Sequence, residues 1–72
     1  MTLKWGIAAT GGIASKMAAA LQTLDDAEIV AVGSRSPESA ATFANKFAIP
    51  QAHGSYADLF ADPNVDIVYI AS

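Results

Sequence analysis

Apolar and polar positions fall in blocks along the 72-residue chain, and the period of the pattern changes from block to block. The run LKWGIAA, Leu3 to Ala9, is mostly apolar. It reads as a short strand buried on both faces, as parallel sheets require. From Gly12 to about Leu24 the residues Ile13, Met17, Leu21 and Leu24 recur at helical spacing with alanines between them. That spacing predicts an amphipathic helix whose small residues allow close packing on a sheet. A polar turn, DDAE, leads into EIVAVGS (Glu28 to Ser34), an apolar, β-branched second strand.

The segment SPES sets Ser36 as N-cap, Pro37 at the first helical position and Glu38 in the first turn of a second helix. Ala40, Phe43, Ala44 and Phe47 form its predicted buried face, and Pro50 lies past its end. QAHGS holds a very short third strand. Ser55 and Asp58 are spaced as a capping box for a short third helix, with Tyr56, Leu59 and Phe60 facing inward. DPN (Asp62 to Asn64) is turn chemistry, and VDIVYIAS closes as a fourth strand. The order β-α-β-α-β-α-β, with connections short enough to demand right-handed crossovers, predicts an α/β fold. It is half of a doubly wound parallel sheet, Rossmann-like and truncated after the fourth strand. Residues 1–72 are therefore expected to be a partial dinucleotide-binding domain of a longer protein. Its exposed sheet edge or helix surface is expected to drive self-association into a homo-oligomer.

Composition narrows the classes. A chain of 72 residues supports one domain, burying only roughly 60% of the surface its unfolded form exposes. An apolar content of 53% excludes disorder and points to surface meant for structure beyond the chain. The net charge is −3 with four basic residues, so there is no basic stripe for nucleic acid. No apolar run approaches the ~18 residues of a membrane span. The opening MTLKWGIAA lacks the core of a secretory signal, and cysteine is absent. A cytoplasmic setting is expected, with neither membrane nor nucleic acid as partner.

The chemistry concentrates in two turns. The dinucleotide fingerprint G-x-G-x-x-G/A needs a tight turn out of the strand, close backbone approach to the pyrophosphate, and close helix–strand packing. Those three positions are Ala9, Gly11 and Ala14 here. Ala9 departs from the pattern and is tolerable only if it keeps a negative φ; Gly12 adds freedom beside Gly11 and would compensate. The amides of Gly11, Gly12 and Ile13 would point at phosphate from the helix N-terminus, with the Thr10 hydroxyl and possible help from Ser15. The plain alternative is a strand-to-helix turn whose glycines serve packing. In NAD-binding sheets an acid ending the second strand binds the ribose 2′-hydroxyl, whereas a nearby arginine accommodates a 2′-phosphate. Here Ser34 stands in the acid's place, followed by Arg35 and Ser36. A phosphate dianion would meet a guanidinium and two hydroxyls, so NADP is expected over NAD. The alternative is a solvated arginine beside a capping serine.

KWGIAATGGIA, and the stretch from IVAVGSRSPES through SYADLFADPNVDIVYIAS, resemble the N-terminal cofactor-binding part of the glucose-fructose oxidoreductase/inositol dehydrogenase family. The dihydrodiol dehydrogenase-like members are nearest in pattern, and the resemblance covers essentially the whole chain. It implies hydride transfer between a nicotinamide dinucleotide and a sugar, cyclitol or dihydrodiol-type hydroxy compound. It also implies that the fourth strand's end, Ala71 and Ser72, lies near the nicotinamide ribose. The family's catalytic lysine, in a Glu-Lys-Pro segment, matches none of Lys4, Lys16 and Lys46. The catalytic residues and the substrate domain are thus expected to lie outside this chain, which should be inactive alone.

Other readings rank lower. A short-chain dehydrogenase turn, T-G-x-x-x-G-x-G, would need glycine where Ser15 and Met17 stand. A methyltransferase would want an acid at Ser34. A non-catalytic nucleotide-binding or regulatory module remains the alternative from a different class. His53 reads as a loop or strand-end histidine without an acid partner nearby in sequence. The acidic residues lack metal-ligand spacing, and Trp5, Tyr56 and Tyr69 read as packing residues.

Overall fold

Seven elements form in the expected order: β1 (Leu3–Ala8), α1 (Gly12–Leu21), β2 (Ala27–Gly33), α2 (Pro37–Phe47), β3 (Gln51–His53), α3 (Tyr56–Phe60) and β4 (Ile67–Ile70). The computed structural model describes residues 2–9 and 11–70. All three strand pairs are parallel, and the sheet order is β3-β2-β1-β4. The chain therefore walks outward from β1 through β2 to β3, then crosses back to β4 on the far side of β1. Right-handed crossovers send α1 and α2 to one face and α3 to the other.

Two cores follow from that division. On one face Ala14, Ala18 and Leu21 of α1 and Phe43 and Ala44 of α2 pack with Ile7, Ile29, Val32 and Ile49. On the other, Leu59 packs with Ala8 and Ala31. A register shift opposite Trp5/Gly6 leaves Val30 as an extra residue in β2. The bulge breaks the strand's alternation, as bulges do. It puts Ile29 and Val32 on the α1 face, and Val30 and Ala31 on the α3 face. Leu59 is wholly buried. A Cβ on Gly33 would stand 2.8 Å from its Cβ, and one on Gly6 3.1 Å from its Cδ1. Glycine in these strands is what lets α3 approach the sheet.

The helices differ in detail from the sequence pattern. α1 stops at Leu21 rather than near Leu24. Thr23 N donates to Ala20 O and Leu24 N to Leu21 O, tighter turns that close the helix. The Thr23 hydroxyl also donates to Ala20 O, and Gln22 Nε2 donates to Phe47 O, tying the ends of α1 and α2 together. The buried stripe is Ala14, Met17, Ala18 and Leu21, while Ile13 and Leu24 are exposed. Small alanines seat the helix on the sheet, so the larger Ile13 turns outward. Phe60 is likewise exposed, because a five-residue helix presents only Leu59 and Tyr56 to the sheet.

Two caps form as the sequence predicts. Ser39 N donates to Ser36 Oγ at 3.3 Å with Pro37 starting α2, and Asp58 N donates to Ser55 Oγ at 3.1 Å. α2 ends on Ala48 in the left-handed region. β1 is buried only over Gly6–Ala8, with Leu3 and Lys4 exposed. No helix among the described residues is long and apolar enough to cross a membrane.

Candidate nucleotide site at the carboxyl ends of the first two strands

The carboxyl ends of β1 and β2 lie side by side. Ala8 pairs with Gly33, and Ala9 N donates to Gly33 O at 2.9 Å. The turn leaving β1 and the Ser34-Arg35-Ser36 loop leaving β2 therefore share one edge of the sheet. The strand order reverses between β1 and β4. Open α/β sheets bind ligands at this edge, by such a reversal.

At the first turn the roles of the small residues are exchanged. Ala9 does not keep a negative φ: it sits at φ 128°, a conformation that L side chains rarely adopt. Gly11 is extended at φ −79° and ψ −170°, and no glycine among the described residues has a positive φ. Gly12 does not relieve the turn, since it is the first residue of α1. Its freedom cannot offset strain three residues earlier, where the chain leaves a strand end pinned by the Ala9–Gly33 hydrogen bond.

The glycines are not needed for packing either. A Cβ built on Gly11 or Gly12 meets nothing within 4 Å. Neither backbone geometry nor a neighbour among the described residues accounts for them, and what they preserve is open space beside the helix start. Among the described residues no side chain caps α1, and its first turn holds no acidic residue. Its leading N–H groups lack intrahelical acceptors and carry the positive end of the helix dipole. Ala14 is buried in the helix–sheet seam, fulfilling the third position's packing role. Ile13 contributes only backbone here, its side chain being 59% exposed. A helix start with open space beside both of its glycines fits a pyrophosphate. Ser15 faces a groove of about 390 Å³ between α1 and α2 that Ser39, Thr42 and Lys46 also line. Thr10, Ala71 and Ser72 lie outside the described residues.

The second loop is held from within. Ser34 is buried, its N–H donates to His53 O at 3.1 Å, and its Oγ accepts from Ser36 N at 3.3 Å. Ser36 Oγ in turn accepts from Ser39 N. Both hydroxyls act as acceptors in these bonds and keep their own O–H to donate. Arg35 between them is exposed and makes no ion pair among the described residues. The loop thus offers a free guanidinium flanked by two hydroxyls on a braced backbone.

His53 has an acid partner after all. Its Nε2 lies 2.9 Å from Asp62 Oδ2, and Asp62 Oδ1 accepts from Asn64 N at 2.8 Å. The hydrogen bond from His53, then that from the Asn64 amide, hold the Asp62 carboxyl below its ordinary value. The pairing is invisible in sequence because the two lie nine positions apart, and α3 folds back between them. The DPN segment gave the one available signal: an Asp fixed in a turn by its own backbone bond presents its second oxygen outward.

The family model described as the oxidoreductase family, NAD-binding Rossmann fold, of the glucose-fructose oxidoreductase/inositol dehydrogenase group, matches residues 3–72. The chain belongs to this family. It is 46% identical over 74 positions to trans-1,2-dihydrobenzene-1,2-diol dehydrogenase of Mus musculus, covering 100% of this chain and 22% of that protein. The myo-inositol dehydrogenase of Lactobacillus casei, in complex with NAD(H) and myo-inositol, has a TM-score of 0.89 at 28% identity, over 100% of this chain and 22% of that one. A variant of the 3-ketoreductase KijD10 from Actinomadura kijaniata, in complex with TDP-benzene and NADP, has a TM-score of 0.93 at 25% identity, over 100% and 23%. The chain spans about a fifth of the length of the curated relatives it matches, 22% in each of the mouse and Xenopus laevis enzymes.

Proposed function

We propose that residues 1–72 are the cofactor-binding part of a longer NADP(H)-dependent oxidoreductase acting on a sugar, cyclitol or dihydrodiol-type hydroxy compound. One juxtaposition carries the reading: an open glycine-lined helix start beside a carboxylate-free Ser34-Arg35-Ser36 loop, on neighbouring strand ends. The N-terminal amides of α1 would hold the pyrophosphate. Arg35, with the Ser34 and Ser36 hydroxyls, would hold the 2′-phosphate. The nicotinamide, when bound, supplies the hydride chemistry. The residues that bind substrate and move its hydroxyl proton lie outside this chain under this reading, so the chain alone is inactive. Kinship with a dihydrodiol dehydrogenase and likeness to a myo-inositol dehydrogenase support the substrate class. Exposed Ile67 and Ile70 on the edge strand β4 support self-association of the 72-residue piece, measurable by light scattering.

The deciding experiment compares KM for NADP and NAD in the full-length oxidoreductase, with Arg35→Ala beside the wild type. Hydrogen bonds to charged groups contribute about 1.5–3 kcal/mol, so R35A should weaken NADP by roughly 10- to 100-fold and leave NAD nearly unchanged. A wild type that takes NAD equally well or better overturns the NADP assignment.

A further inference from the structure

A single line of hydrogen bonds runs from the foot of β4 to the loop that would read the 2′-phosphate. Asp62, in the turn between α3 and β4, holds His53 Nε2 at 2.9 Å. His53 is the last residue of β3 and pairs with Gly33, and its carbonyl accepts from Ser34 N at 3.1 Å. Ser34 Oγ accepts from Ser36 N, and Ser36 Oγ accepts from Ser39 N, both at 3.3 Å. Arg35 hangs between two of these links with no ion pair of its own among the described residues.

β3 is only three residues long and lies at the edge of the sheet, with two of its three side chains exposed. Such a strand has little packing to fix it. Its described side-chain tether is the His53–Asp62 pair, which is largely shielded from water, with the two side chains 16% and 7% exposed. Asp62 is itself pinned, because its other oxygen accepts from Asn64 N. The turn thus supplies a rigid anchor, and the histidine passes that rigidity to the backbone carbonyl on which Ser34 depends.

We infer that His53 and Asp62 are positioning residues for the cofactor: they clamp β3 so that the Ser34-Arg35-Ser36 loop is held in the geometry that accepts a 2′-phosphate. The inference rests on the NADP reading above for the ligand, while the clamp itself rests on the hydrogen bonds alone. Neither residue belongs to the loop or the helix start that would hold the cofactor. Their effect is therefore selective for NADP, since the helix start that holds the pyrophosphate shared by both dinucleotides takes no part in the line.

The test uses the full-length protein with Asp62→Ala and His53→Gln. Asp62 makes no hydrogen bond to residues 34–36, and its side-chain link toward them is the bond to His53. Hydrogen–deuterium exchange, read without cofactor, should speed up in D62A at the Ser34 and Ser36 amides. In binding titrations the dissociation constant for NADP should rise about two- to thirtyfold relative to that for NAD, the span of couplings carried through intermediate residues. H53Q, which keeps an N–H donor for Asp62, should show much smaller changes than D62A. Asp62→Asn keeps an acceptor for Asn64 N and is measured in the same way should D62A not fold. Unchanged exchange at residues 34–36 overturns the positioning role, and so does equal weakening of NADP and NAD. Accelerated exchange in a protein whose wild type takes NAD as readily as NADP overturns the NADP reading instead and leaves the clamp standing.

Discussion

Ala9→Gly should stabilise this protein, against the usual direction for that substitution. Ala9 sits at φ 128°, and a non-glycine residue held in so sparsely populated a region costs about 1–3 kcal/mol. Glycine removes that cost but adds freedom to the unfolded chain, which costs about 0.4–1 kcal/mol. The difference favours the variant by roughly 1 kcal/mol, taking middle values of both. The conformation is not free to relax, because Ala9 N is bonded to Gly33 O and Ala8 is buried in the strand before it. For a domain of this size 1 kcal/mol moves the melting temperature by about 4–8 °C. Thermal unfolding followed by circular dichroism reads the change directly. A lower melting temperature for A9G would refute the reasoning, because it would mean that Ala9 occupies an ordinary conformation. The same substitution restores the fingerprint's first glycine, so nucleotide binding should be kept or improved.

Gly12→Ala should separate fold from function. Its Cβ meets nothing within 4 Å and its φ is not positive, so stability should hold or rise by the ~0.4–1 kcal/mol of reduced unfolded-state freedom, read as an unchanged or higher melting temperature. Dinucleotide binding in the full-length protein should fall sharply, and unchanged binding would count against the cradle. Gly33→Ala should do the opposite: its Cβ would press on Leu59 Cβ at 2.8 Å, an overpacking cost of about 1–3 kcal/mol visible in urea unfolding. Leu59→Ala empties the centre of the second core at about 2–5 kcal/mol. That is a large share of the ~4–11 kcal/mol total expected at this length, so the variant should melt at a markedly lower temperature than the wild type by circular dichroism. The Asp62 carboxyl lies below its ordinary 3.8 in the folded chain, chiefly through the His53 hydrogen bond. It therefore adds stability above about pH 4 that is lost as pH falls through its lower folded value. D62N should flatten the acid limb of a stability-against-pH curve, and parallel wild-type and variant curves would contradict this.

Much of this was legible in the residues. The block pattern and the turn signals between blocks located all seven elements: the longer strands and helices by their apolar period, the short β3 and α3 by the Pro50 and Ser55 signals that flank them. Ser36-Pro37 and Ser55 marked two helix starts for local reasons that need no partner. Gly11, Arg35 and the missing acid at Ser34 marked the candidate nucleotide edge, since their chemistry depends on residue type and on strand-then-turn context. Other features depended on what each segment meets. The end of α1 at Leu21 is set by hydrogen bonds to Ala20 O and Phe47 O. The outward turn of Ile13 and Phe60 follows from which side chains fit against the sheet.

The sequence by itself determined the class of fold, the order of elements and the two turns on which a dinucleotide site depends, because periodicity and turn chemistry act within a few residues. The tertiary structure alone decided the rest. It bulged β2 at Val30, forced Ala9 rather than a glycine into the positive-φ position, and left Gly11 and Gly12 facing open space. It also joined His53 to Asp62 across a helix. Each of these depends on which strand ends and loops come to lie beside one another. That is fixed only when α1 and α2 close over one face of the sheet and α3 over the other.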